Sequence, residues 1–206
     1  VYRLINRFFN KIFVVSDAVK NTIFEREGVL WSKMLTVYNG VDLEKFSVRA
    51  NNDKLRKDIG LNNNWPVIGI IAGLRPIKGH KYFLESAALV VKQFPKINFL
   101  IVGWNFDDGY FTEIKRMVND LGLQKNVIFT GGRSDTNNIL SLIDIFVLTS
   151  INEGFSNAII EAMAAGKPIV ATKSGGTSEA IEDQITGILV PAKDAPAIAR
   201  ETISIL

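Results

Sequence analysis

The feature that most restricts the fold is an alternation repeated along the chain, in which short apolar, β-branched runs are each followed by a longer stretch of helical period. Residues 67–72, 97–102, 127–130, 143–149 and 168–171 read as strands. Between them, residues 81–93, 110–121, 135–142 and 157–165 carry the pattern of helices, the last closed by Gly166 with Pro168 shortly after. Strand then helix, repeated, predicts a parallel sheet, because each crossover to a parallel neighbour needs about a helix's length of chain. The strands are apolar throughout rather than alternating, so both faces of the sheet have to be covered. The expected class is α/β, a doubly wound parallel sheet with helices on both faces, whose ligand crevice lies at the carboxyl ends of the strands.

The most informative chemistry falls at such a place. Glu153 and Glu161 bracket seven residues, and the loop Glu153-Gly154-Phe155-Ser156-Asn157 opens into a helix directly after the run 143–149. A strand tip followed by a helix start gathers unpaired N–H groups and the positive end of the helix dipole, which suits an anion, most simply a phosphate. Glu153 then sits in the loop beside the anion. Glu161 lies about a turn into the helix, where it can accept from hydroxyls of the same ligand. Phosphate plus hydroxyls suggests a nucleotide sugar.

With 206 residues, nearly half of them apolar, the chain can bury a full core, and its charge of +3 is spread rather than blocked, so nothing in it asks for nucleic acid. The absence of cysteine excludes disulfides and thiolate metal sites. No apolar run has the length of a membrane span. The opening residues depart from the alternation: 4–9 read as helix, 11–15 as strand, 17–27 as a helix behind a Ser16 cap, and 35–38 as a short strand, before the turn Asn39-Gly40-Val41-Asp42. Some forty residues cannot make a stable α/β domain alone, so residues 1–38 are expected to be the tail of a larger, truncated N-terminal domain. Residues 39–206 then form the second domain, broken off inside a helical pattern. The apolar surface orphaned in the opening segment predicts association between copies.

The run from Asn152-Glu153-Gly154-Phe155-Ser156-Asn157 through Glu161 to Ala171 resembles the E-x7-E region of the retaining GT-B glycosyltransferases of family 4. Four other places match in order. Tyr38-Asn39-Gly40-Val41-Asp42 resembles the interdomain linker, and Ala72 to His80, containing Arg75 and Lys78, the basic phosphate loop. Ile101-Val102-Gly103 and Phe129-Thr130-Gly131-Gly132-Arg133 resemble nucleotide-pocket loops. Ser174-Gly175-Gly176 with Glu179 adds a fifth motif.

The resemblance implies a Rossmann-like GT-B C-terminal half that holds a nucleotide-diphosphate sugar, facing an N-terminal half, largely outside this chain, that holds a glycan or lipid-linked acceptor. It implies polysaccharide biosynthesis, no cofactor and no metal. A cytoplasmic place is expected, with peripheral contact at the inner face of a membrane made through the other half. Transfer builds oxocarbenium-like charge on the sugar and negative charge on the departing diphosphate, so cations or N–H groups are needed there.

By resemblance Lys78 contacts the diphosphate. The family's usual arginine stands five residues before that lysine, where this chain has Gly73; Arg75 stands three before it. Glu153 is the catalytic carboxylate in the sense of positioning the donor sugar, and Glu161 the ribose ligand. Gly154, Phe155, Ser156 and Asn157 line the anion site, with Ser156 free either to cap the helix or to touch phosphate, and Phe155 a packing residue under the loop more than a ligand contact. Gly103 and Arg133 border the base. His80 reads as a helix-start residue, and Asp107-Asp108 as part of a turn.

Three other readings stand beside this one: a sugar-nucleotide epimerase of the same architecture, a piece that binds nucleotide without turnover, and an NAD-dependent oxidoreductase. The last lacks its fingerprint, as no G-x-G-x-x-G follows any strand.

Overall fold

The computed structural model describes residues 8–47, 52–61 and 65–206. A first, two-stranded parallel sheet pairs β1 (Ile12–Val14) with β2 (Met34–Thr36), joined through helix α1 (Asp17–Glu27). Ser16 caps α1 as expected, its Oγ accepting from the Val19 N–H at 3.1 Å. Val14, Val29 and Met34 are buried beneath this unit, while Phe13 and Leu35, partners in register, both face outward. The helix expected over residues 4–9 falls, apart from Phe8 and Phe9, outside the described residues; those two are not helical, and both are exposed. Short helices α2 (Leu43–Ser47) and α3 (Asn52–Asp58) lead to the main sheet.

That sheet has six parallel strands: β3 (Val67–Ile71), β4 (Asn98–Val102), β5 (Val127–Gly131), β6 (Ile145–Leu148), β7 (Ile169–Thr172) and β8 (Ile188–Val190). Their order is β5-β4-β3-β6-β7-β8, so the chain winds outward one way from β3 and then the other way from β6. Intervening helices are α4 (His80–Val91), α5 (Asp108–Asp120), α6 (Thr136–Leu142), α7 (Asn157–Ala164) and α8 (Thr177–Ala180), with α9 (Ala195–Ile205) after β8. Right-handed crossovers running in opposite directions lay their helices on opposite faces. Accordingly α4 packs with α5 and α9, whereas α7 packs with α2 and α8, and α6 with α3.

Every residue of β4, β6 and β7 is buried, as continuous apolar strands between two helical layers require. Phe83 of α4 meets Phe99 of β4 edge to face, with centroids 5.8 Å apart. The reversal of winding opens a crevice between the carboxyl ends of β3 and β6, the topological switch point of such sheets. No helix among the described residues is long and apolar enough to cross a membrane.

Candidate functional site

The loops after β3 and β6 are tied to each other before either reaches solvent. Thr149, fully buried just past β6, donates through its Oγ1 to the carbonyls of Lys78 (3.1 Å) and Gly79 (2.9 Å), and the Ile151 N–H donates to the Ile77 carbonyl at 2.8 Å. Gly79 takes φ +67°, and a Cβ there would lie 2.1 Å from the Thr149 carbonyl oxygen, so glycine is needed both for the turn and for the close approach. The tight turn Pro76–Lys78 presents the Lys78 ammonium to Glu153, Nζ to Oε1 2.9 Å and to Oε2 2.7 Å. Glu153's side chain is 10% exposed and that of Lys78 27%, so this ion pair is screened less than a surface one.

The loop that carries Glu153 is held on its far side as well. Its carbonyl accepts from the Gly176 N–H at 3.0 Å, and the Gly154 carbonyl accepts from Ser16 Oγ at 2.6 Å. Phe155 packs on Tyr38 with centroids 5.2 Å apart, and Asn39 Nδ2 donates to Asn157 Oδ1 at 2.7 Å. Glu179 accepts from the Asp17 and Ala18 N–H groups at the start of α1, at 2.8 and 2.7 Å, and from the Tyr38 hydroxyl at 3.0 Å. Loss of that phenol's proton beside the Glu179 carboxylate is disfavoured, which raises the Tyr38 pKa.

Ser156 occupies the cap position of α7 but makes no cap bond with its side chain, so the first-turn N–H groups of α7 are left for another acceptor. Asn157, Ala158 and Glu161 on α7 form one side of a cleft of about 260 Å³. The other walls are the ends of β3 and β4 with their loops, Gly73, Gly103, Trp104 and Phe106 among them, and the Gly132-Arg133 loop after β5. Arg133 is held there by a two-point bond to Asp135, Nε to Oδ1 2.7 Å and Nη2 to Oδ2 2.6 Å. Each charge favours the other, raising the pKa of the arginine and lowering that of the aspartate.

Of the residues singled out in the sequence, the structure thus joins Lys78 to Glu153 and gathers Gly103, Arg133, Asn157 and Glu161 around one cleft. Gly154, Phe155 and Ser156 lie along the loop between that cleft and the opening segment. Arg75 stands apart from the Lys78–Glu153 pair: it is exposed, and its guanidinium lies over the Phe106 ring, 4.2 Å from the centroid.

His80 starts α4, fully buried. Neither ring nitrogen makes a hydrogen bond, although the carbonyls of Ala72 and Arg75 lie nearby, and burial lowers its pKa to about 4. Asp107 caps α5, its Oδ1 accepting from the Tyr110 N–H at 3.0 Å. Trp104 and Phe106 went unnoticed in the sequence. The available signal was two bulky aromatics beside a glycine in a loop leaving a buried strand.

Comparison with known proteins accords with this geometry. Residues 51–206 match the family model of the glycosyl transferases group 1. The chain is 34% identical over 166 residues to the UDP-Gal:alpha-D-GlcNAc-diphosphoundecaprenol alpha-1,3-galactosyltransferase of Escherichia coli, covering 79% of this chain and 42% of that protein. It is 29% identical to the N-acetyl-alpha-D-glucosaminyl L-malate synthase of Bacillus anthracis, over 83% of this chain and 44% of the relative. The chain thus spans less than half the length of either curated relative.

Among solved structures, HepE of Anabaena in complex with UDP-glucose superposes with a TM-score of 0.90 at 29% identity, over 98% of this chain and 56% of HepE. The C-terminal domain of the group 1 protein LpcC of Francisella tularensis gives 0.71 at 32% identity, over 81% of this chain and 87% of that domain. The shared architecture is the GT-B type.

Proposed function

The chain belongs to the group 1 glycosyl transferases, and on that premise we propose that it is the donor-binding half of a retaining, family 4 enzyme that moves a sugar from a nucleotide-diphosphate sugar to an acceptor. One observation carries the reading. At the switch point, an α7 start without a side-chain cap and a glutamate one turn into the same helix border one cleft, and the lysine of the loop after β3 is paired with Glu153 in the loop that leads into that helix. Negative charge grows on the diphosphate as the sugar leaves, and the α7 N–H groups with the Lys78 ammonium are fixed in advance where that charge develops. Glu161 accepts from the ribose hydroxyls. Glu153, oriented by Lys78, accepts from hydroxyls of the donor sugar and sets its pose. The departing phosphate helps to remove the acceptor proton on the same face, so the anomeric configuration is kept.

A relative named for its use of UDP-Gal, and a neighbour solved with UDP-glucose, support a nucleotide sugar as donor. Residues 1–38 belong, in this reading, to the tail of an acceptor domain, with the acceptor a glycan or a lipid-linked sugar. The Arg75 guanidinium is engaged on Phe106, and the diphosphate contact is assigned to Lys78 rather than to it. The test is transfer from α-linked UDP-, GDP- and ADP-sugars by the protein with both halves, followed by proton NMR of the product. An α-linked product is expected; a β-linked one would overturn retention, and epimerised donor without transfer would favour an epimerase.

A further inference from the structure

We infer that the indole of Trp104 is the platform on which the base of the bound nucleotide stacks. The inference rests on the donor-site reading above and extends it to one side chain. Trp104 follows Gly103 just past the end of β4, and its ring lies against Gly132 in the loop after β5. A Cβ placed on Gly132 would sit 2.1, 2.2 and 2.5 Å from the ring atoms Cδ2, Cε2 and Cγ. Near-equal distances to three ring atoms put that point above the face of the ring, so the indole is backed face-on by a residue without a side chain. The residue remains 64% exposed although it borders the same cleft as Glu161. Its neighbour Phe106 is covered differently, with the Arg75 guanidinium over its ring. Of the two aromatics at the cleft mouth, Trp104 keeps the free face.

Position decides what that face meets. The sheet order places β4 two strands from β6, beyond β3. At ~4.8 Å per strand, Trp104 stands roughly 10 Å across the sheet from the anion site at the start of α7. Glu161 borders the cleft between them. A ligand with its diphosphate at α7 and its ribose on Glu161 has one group left to place at that far wall, a flat aromatic base. Stacking on an aromatic side chain is tolerant of base identity because every base has a π face. Trp104 therefore adds affinity for any nucleotide, and choice among bases falls to the backbone groups of the surrounding loops.

The test uses the chain with Trp31 and Trp65 replaced by phenylalanine, so that Trp104 is the remaining indole. Saturation with UDP, GDP or ADP is expected to quench its fluorescence, and pyrophosphate is expected to leave it unchanged. In an otherwise natural chain, Trp104→Ala should weaken the nucleoside diphosphates roughly ten- to hundredfold. Pyrophosphate binding should be untouched, and Trp104→Phe should retain most of the affinity. A nucleoside diphosphate that binds Trp104→Ala as tightly as the natural chain, or that binds without quenching, overturns the inference and leaves the donor-site reading in place. If none of the three binds the natural chain, both fall.

Discussion

Gly79 and Gly166 share a left-handed backbone, φ +67° and +65°, yet only Gly79 is also enclosed, with the Thr149 carbonyl 2.1 Å from where a Cβ would be. Alanine at Gly166 meets open space and loses about 1 kcal/mol of conformational preference. Alanine at Gly79 adds a steric clash to that and is expected to cost roughly 2–4 kcal/mol. Thermal melts of the two variants should separate clearly, and equal losses would contradict the enclosed-turn account. His80, the residue after Gly79, supplies a pH dependence. The buried ring stays neutral in the fold down to about pH 4, facing the Ala72 and Arg75 carbonyls, the Tyr110 ring and the field of Lys78, whereas the unfolded chain protonates it near pH 6.5. The fold therefore binds fewer protons at His80 than the unfolded chain in that window, and this residue's contribution to stability falls as pH drops from 6.5 toward 4, by roughly 3 kcal/mol in all, with no further change from this group below. Chemical denaturation at several pH values should show this slope, and His80→Leu should flatten it relative to the natural chain.

At the scale of elements, α1 is capped twice, by Ser16 from within the opening segment and by Glu179 of α8 after β7. Glu179→Ala should speed amide exchange at Asp17 and Ala18 while leaving β7 protected; unchanged exchange there would show that the carboxylate is dispensable. The central strands were legible in the sequence because burial on both faces writes an unbroken apolar run between breakers, as in Ile145–Leu148. β8 was missed, being three residues long at the sheet edge with Ile188 and Leu189 only partly buried. The helices α2, α3 and α8 run four to seven residues, too short to show a helical period. Lys78, Glu153 and Glu161 could be picked out because each lies in a contiguous motif beside its strand. The engagement of Arg75 with Phe106, of Arg133 with Asp135 and of Trp104 with Gly132 could not, since these depend on how the loops after β3, β4 and β5 meet above the sheet.

At the scale of the whole molecule, one reversal of winding creates the crevice, and the opening segment braces it through Ser16, Tyr38 and Asn39 against the loop that carries Glu153. The central claim is that a diphosphate docks at the start of α7 with Lys78 beside it and a ribose on Glu161. Calorimetric titration of UDP, GDP and ADP into the natural chain and into a Lys78→Gln, Glu161→Ala double variant tests it directly. Removing one charge-assisted partner at each end of the ligand is expected to cost about 1.5–3 kcal/mol apiece. At least one nucleoside diphosphate should bind the natural chain and bind the double variant roughly a hundredfold or more weakly; binding of equal strength to both, or to neither, would contradict the account.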